Sequence, residues 1–448
     1  MFDIHSNKYF DIRSQEIDMI FKFVSKNITN EARSYAARLK CFSANARFYL
    51  LFVFLITLNV GIYGVIFNLY ILSLGFGEDF LGLILSISSV SIGIFAIPAA
   101  FVCDRLGRKR TLLLSSLLLA VSLLILYNSA SRWLLIVFSI AYGGAMTLSL
   151  VTGATFLVEN STPYERMHLF SMYSIIYSVA TLTGNLVGGY FPDVLADVMA
   201  DLPSNLLVLE AGRCTEYRLT LYLSLAAVIF SLIPLVHIKE TIVPEGCGIS
   251  GAFKLYRSTL KSHWVRRMLI FYCLLGAGWG TALPYFNVFL DVVHKASPTE
   301  IGLIFSSAQL IMMAGYFLVP VLVERNGRVK LASMLQAMSI PFLLIFTFSS
   351  SLLLAAFGYV MRYLLMNMAN PILNSFKLEI AEAKERSIIN SSMWMACYTF
   401  VGIGTYAGGM MMAAGRPEMP FMTTSAIYLA SAIFYYICFN DFERIQNK

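Results

Sequence analysis

Arg362 sits in the middle of the apolar stretch 352–376, and no acidic residue occupies the central part of any comparable stretch to neutralise it. A guanidinium stays charged at physiological pH, and at the centre of a bilayer it costs about 2.5–3.5 kcal/mol on insertion scales, so it is expected to face the interior or water. The chemistry on offer is attraction of an anionic group. Competing readings are a bond to backbone carbonyls, a structural polar network with Asn367 and Asn370, or a shallower position in the membrane. Pro371 is expected to kink the segment and free carbonyls for Asn367 or Asn374.

A second chemistry is ion pairing at two turns. Asp104-Arg105-Leu-Gly107-Arg108-Lys109-Arg110 recurs 220 positions later as Glu324-Arg325-Asn-Gly327-Arg328-Val-Lys330. The same offset relates Glu159 to Glu379, Glu165-Arg166 to Glu385-Arg386, and Gly184, Gly188 and Gly189 to Gly404, Gly408 and Gly409, while Asn68 and Asn287 pair at 219. One register held so long indicates an internal duplication, a signature of transporters. Within each copy the spacing lets Arg108 reach Glu159 and Arg328 reach Glu379. The alternative is that these charges only retain loops on one side of a membrane. The register also sets Tyr142 opposite Arg362, which predicts an electrically asymmetric interior.

The elements that must hold these residues follow from composition. Of 448 residues 58% are hydrophobic and 13% charged, with mean hydropathy +0.71, which fits lipid rather than water. Twelve stretches can cross a core of about 30 Å: 48–73, 80–103, 111–128, 133–158, 168–191, 217–237, 267–291, 299–323, 331–349, 352–376, 388–413 and 421–439. Runs of this length without alternation satisfy their backbone amides in lipid only as helices, so the fold is all-α. The domains read as a tail 1–46, a six-helix bundle 47–238, a linker 239–266, a second bundle 267–440 and a tail 441–448.

With both termini cytoplasmic, the opposite loops hold only Arg132, Arg213, Arg218, Lys295 and Arg416, and apart from Arg362 the other 27 of 33 cations lie inside. The net charge of +7 then needs no nucleic acid, since cations beside anionic lipid account for it. No cleavable leader is expected, and Ile17, Ile20, Phe21 and Val24 outline either an interfacial helix or a solvated one. Only Cys214 falls in an outer loop, the five histidines lack metal-ligand spacing, and no phosphate-cradling loop occurs. No metal, no cofactor and no enzyme activity are expected.

Twelve segments in two halves, with Asp-Arg-x-Gly-Arg-Lys-Arg after the second, resemble the major facilitator superfamily over residues 48–440. Ala100 stands where that family usually has glycine. The resemblance implies an integral protein of the plasma (inner) membrane, working as a monomer, that moves a small-molecule substrate by alternating access. It implies that segments 1, 4, 7 and 10 line a central cavity, which makes Asn59, Asn68, Tyr142, Trp279, Tyr285, Asn287, Arg362 and Asn367 the substrate-binding candidates. It also implies a conformational latch of Asp104, Arg105, Gly107, Arg108 and Glu159 with Glu324, Arg325, Gly327, Arg328 and Glu379, in which Asp104 can face the start of segment 11. Helix 5 is similar to the family's antiporter motif except that Asn185 replaces its proline. Asp291 and His294 are candidates for coupling or gating, while uniport, exchange and potential-driven movement stay open. The rival reading is an exporter of hydrophobic drugs, suggested by 34 Phe, 24 Tyr and 21 Met.

Overall fold

The computed structural model describes residues 42–162, 165–200, 213–240, 262–380 and 386–446. Most of the N-terminal tail expected to hold an interfacial helix, and most of the linker, lie outside the described residues. Among the described residues twelve helices follow one another: α1 Ala44–Ser73, α2 Glu78–Leu106, α3 Arg108–Asn128, α4 Arg132–Glu159, α5 Arg166–Ala200 and α6 Arg213–His237. The second half contributes α7 His263–His294, α8 as Pro298–Tyr316 plus Val319–Asn326, α9 Arg328–Phe348, α10 Leu352–Glu379, α11 Arg386–Ala413 and α12 Met419–Gln446. No strand occurs among the described residues.

Nine of these helices are long and apolar enough to span a bilayer, and α8, bent by 53° at its break, makes a tenth. The two others, α5 and α11, carry the glycines, tyrosines and hydroxyl residues of the seam between the halves, which dilutes their hydropathy. Proline shapes the second half. Pro284 lies in a 3-10 turn, Leu283–Tyr285, that interrupts α7, because proline lacks the N–H that would continue the α-helical ladder.

The duplication is visible in how the glycines pack. A Cβ at Gly184 would lie 2.5 Å from Leu58 O on α1, and one at Gly404 would lie 2.4 Å from Ala277 O on α7. These contacts stay inside each half. Their neighbours cross the seam: a Cβ at Gly189 would be 2.7 Å from Gly302 Cα on α8, and one at Gly409 would be 2.7 Å from Gly82 Cα on α2. Small residues let helix backbones approach where lipid offers no hydrophobic force to press them together.

The seam is closed on one face. One apolar cluster runs from the first bundle into Tyr285, Phe286, Phe289 and Phe421 of the second. Towards the face where α2 turns into α3, a separate cluster from Val265 to Phe439 belongs to the second bundle alone. We call these the sealed face and the charged-turn face. Gly189→Val and Gly409→Val add bulk against backbone only when the sealed face is shut. Disulfide formation between Asn68→Cys and Asn287→Cys should therefore fall severalfold in either background, with the size-exclusion profile unchanged; undiminished crosslinking would refute the close-approach argument.

Candidate functional site

On the sealed face the amides of α1 and α7 bind each other. Asn68 Nδ2 donates to Asn287 Oδ1 at 3.0 Å and to the carbonyl of Pro284, which the broken turn presents. Asn287 Nδ2 donates to Val65 O at 2.9 Å and Gly64 O at 3.3 Å. The 219 offset in the sequence is thus a reciprocal contact between halves. Tyr285 donates its hydroxyl to Thr405 O and is fully buried beside Gly82 and Gly409. Thr299 Oγ1 donates to Asp193 Oδ2 at 2.6 Å, a further bond between α8 and α5. Asp291 is half-buried within electrostatic reach of Arg213 and Lys295, and His294 packs edge-on to Phe289 with its Nε2 enclosed and unpartnered. Asn68, Asn287 and Tyr285 are therefore occupied at the seal.

Deeper towards the charged-turn face, tyrosines converge. Tyr142 on α4, Tyr177 on α5, Tyr363 on α10 and Tyr398 on α11 come from both halves, and Tyr177 lies near the other three. Each is surrounded by protein yet keeps open surface, which describes the wall of an internal chamber. Tyr142 stacks on Tyr63 at 5.2 Å between centroids, and Tyr398 lies 5.9 Å from Trp279. The Tyr363 hydroxyl donates to Gln309 Oε1 at 2.9 Å. Among the described residues the hydroxyls of Tyr142, Tyr177 and Tyr398 have no hydrogen-bond partner, and they are not shut off from solvent.

Tyr363 stands 221 residues after Tyr142, and Tyr398 221 after Tyr177, one more than the register of the duplication. The expected counterpart of Tyr142 was Arg362, one residue earlier, and that residue points elsewhere. Arg362 is 2% exposed, its guanidinium lies 5.1 Å from the Phe286 ring and 5.8 Å from the Tyr428 ring, and Nη2 donates to the Tyr428 hydroxyl at 3.2 Å. Aromatic faces attract a desolvated cation by about 2 kcal/mol, which helps hold the charge without a carboxylate. Nε has no partner. Asn59 is likewise fully enclosed, with neither amide atom bonded. Asn367 is turned to its own helix, donating to Tyr363 O at 2.8 Å and accepting from Asn370 at 3.1 Å.

At the charged-turn face, Gly107 and Gly327 adopt φ of +84° and +77° with extended ψ, a conformation essentially limited to glycine. Each turn hands its arginine to a glutamate one helix away. Arg108 Nη2 meets Glu159 Oε1 at 2.8 Å while Nη1 meets Asp104 Oδ1 at 2.9 Å, and Arg328 Nη1 meets Glu379 Oε2 at 2.6 Å. Asp104 is 47% exposed and, among the described residues, pairs within its own turn. Glu324 and Arg325 are exposed. In the second half the place of Asp104 is taken by Glu443 of α12, whose carboxylate accepts from the backbone N–H of Arg328 at 2.7 Å and of Val329 at 3.0 Å.

The sequence profile described as Major Facilitator Superfamily matches residues 49–293. The chain belongs to that superfamily. No curated protein matches. Among solved structures the chain is similar to a bacterial homologue of the human lysosomal transporter Spinster in an inward-facing, occupied conformation (TM-score 0.70, 14% identity, 88% of this chain and 96% of that one). It is also similar to the nucleoside transporter NupG (0.66, 14%, 88% and 98%) and to a D-xylose-proton symporter (0.65, 13%, 88% and 97%). At these identities the likeness shows the fold.

Within this superfamily architecture one buried cation escaped the sequence reading. Lys377, counted there as a loop residue, lies inside α10 at 3% exposure, between the rings of Tyr272 at 5.5 Å and Trp394 at 5.2 Å. Among the described residues it has no carboxylate partner. A groove of about 770 Å³ bounded by Leu124, Leu134, Tyr222 and Ile229 lies on the flank of the first bundle, away from the chamber. Tyr272→Leu should cost about 1–2 kcal/mol of thermal stability in the parent but much less in Lys377→Met. Equal losses in both backgrounds, measured by tryptophan-fluorescence melting, would show that the ring does not stabilise the charge.

Proposed function

We propose that this protein is a secondary carrier that moves a small organic solute through the tyrosine-lined chamber by alternating access, with both termini cytoplasmic and the charged-turn face inward. The observation that carries this reading is one-sided closure. The chamber lies between a face sealed by Asn68, Asn287 and four seam glycines and a face where Asp104 is exposed. In the opposite state the Asn68–Asn287 contacts part, and Asp104 meets the positive N-terminal end of α11. The Arg108–Glu159 and Arg328–Glu379 pairs stay within their bundles and hold each turn in shape through that exchange.

Arg362 contributes field rather than contact. Enclosed by Phe286 and Tyr428, and with no acid at its depth among the described residues, it makes the chamber positive. Charge acts over longer distances in a medium of low dielectric. A solute bearing an anionic group is favoured over a cation of the same shape. An exporter of chemically unrelated hydrophobic drugs fits less well, because three open hydroxyls ask for polar partners.

The carrier reading is tested without knowing the substrate. In a cysteine-free background, Tyr142→Cys should react with an impermeant maleimide far faster in inside-out vesicles than in intact cells. Asn68→Leu with Asn287→Leu removes four amide hydrogen bonds between the halves, each about 0.6 kcal/mol in a membrane. Labelling from outside should then rise by roughly tenfold or more. Faster labelling from outside in the parent would overturn the assigned orientation of the seal.

A further inference from the structure

We propose that the chamber takes a planar aromatic solute that carries hydrogen-bond acceptors or a negative group. This rests on reading the chamber as the substrate site of a carrier. It is carried by the tyrosine quartet, to which each half contributes two rings, Tyr142 and Tyr177 from the first and Tyr363 and Tyr398 from the second.

Ring faces come first. Tyr63 and Tyr142 stand nearly parallel, 13° apart, and Trp394 and Tyr398 stack at 5.6 Å and 26°. Each half thus brings a pre-stacked pair of rings to the chamber, and Tyr142 and Tyr398 lie near one another across it. Rigid rings with two torsions lose little freedom on binding, and an added aromatic partner is worth about 0.5–1.5 kcal/mol beyond its buried area. A flat conjugated body gains from such walls; a puckered ring of the same volume gains less.

Polarity selects further. The unpartnered hydroxyls of Tyr142, Tyr177 and Tyr398 can donate to acceptors on the solute. Ring faces alone would also welcome a cation, but here Arg362 and Lys377 already occupy aromatic cages in the second bundle. The described carboxylates nearest along these helices are Glu159, Asp193, Asp291 and Glu379, each at least twelve residues from the chamber residue of its own helix. A cationic solute would meet like charge with no counter-ion. An aromatic acid or a neutral ring rich in acceptors meets donors and a positive field.

The test uses the purified full chain in detergent, with binding of benzoate, cyclohexanecarboxylate and benzyltrimethylammonium followed by calorimetry. Benzoate should bind, cyclohexanecarboxylate roughly tenfold or more weakly, in line with 1.4 kcal/mol per decade, and the cation not at all. Tyr398→Leu should weaken benzoate severalfold. Tyr177→Phe, which keeps the ring and removes only the hydroxyl, should weaken it by a smaller factor with the melting temperature unchanged. No benzoate binding, equal affinity for the two acids, binding of the cation, or indifference of benzoate to both tyrosine changes would each overturn the proposal. Flux separates the two readings: benzoate that binds but is not moved across proteoliposomes defeats the carrier and leaves the site standing. Transport of another solute that benzoate does not inhibit defeats the assigned solute class and leaves the carrier standing.

Discussion

The contact on which the architecture turns is the reciprocal amide pair between α1 and α7. An unsatisfied amide in lipid has no water to fall back on and is costly. Asn68 and Asn287 satisfy each other and the carbonyls that the helices expose to them, including Pro284 at the broken turn of α7. Seam glycines remove the bulk that would keep the backbones apart. The two bundles are thereby joined at one end, and every other feature of the interior, from the open tyrosine hydroxyls to the unlatched Asp104, takes its meaning from that single closure.

Much of this was legible in the residues. Lipid leaves helices as the only structure for long apolar runs, and a duplicated register carries contacts with it. The ion pairs of Arg108 and Arg328 therefore follow from the spacing of Glu159 and Glu379, since two copies of one hairpin bring the same positions together. The glycine runs of α5 and α11 pack as their repetition implies.

What the sequence hid has physical reasons. Asn68 reads equally as a ligand for solute or as an interhelical bond, and only the conformational state decides between them. Arg362 is buried as a cation in an apolar helix must be, but which way a side chain turns around its helix depends on where the rings of Phe286 and Tyr428 lie. Lys377 was lost because a lysine at a segment's edge looks solvated, and its aromatic cage is assembled from helices more than a hundred residues back and a turn ahead. The tyrosine quartet was hidden among 24 tyrosines, most of which resemble lipid-facing aromatics. The repeat does not mark it either, because the 220 register sets Tyr142 opposite Arg362 and Tyr177 opposite Cys397.

The substitution of Glu443 for Glu324 at the second charged turn breaks the likeness between the halves. In the first bundle the turn's acid projects outward and is free to change allegiance; in the second, a carboxylate from α12 clamps the first turn of α9 from within. One repeat has kept a movable bolt and the other has had its bolt riveted. The inherited symmetry of the two copies therefore does not extend to how their turns are held: one acid stays at the surface, and the other is supplied by α12 and buried.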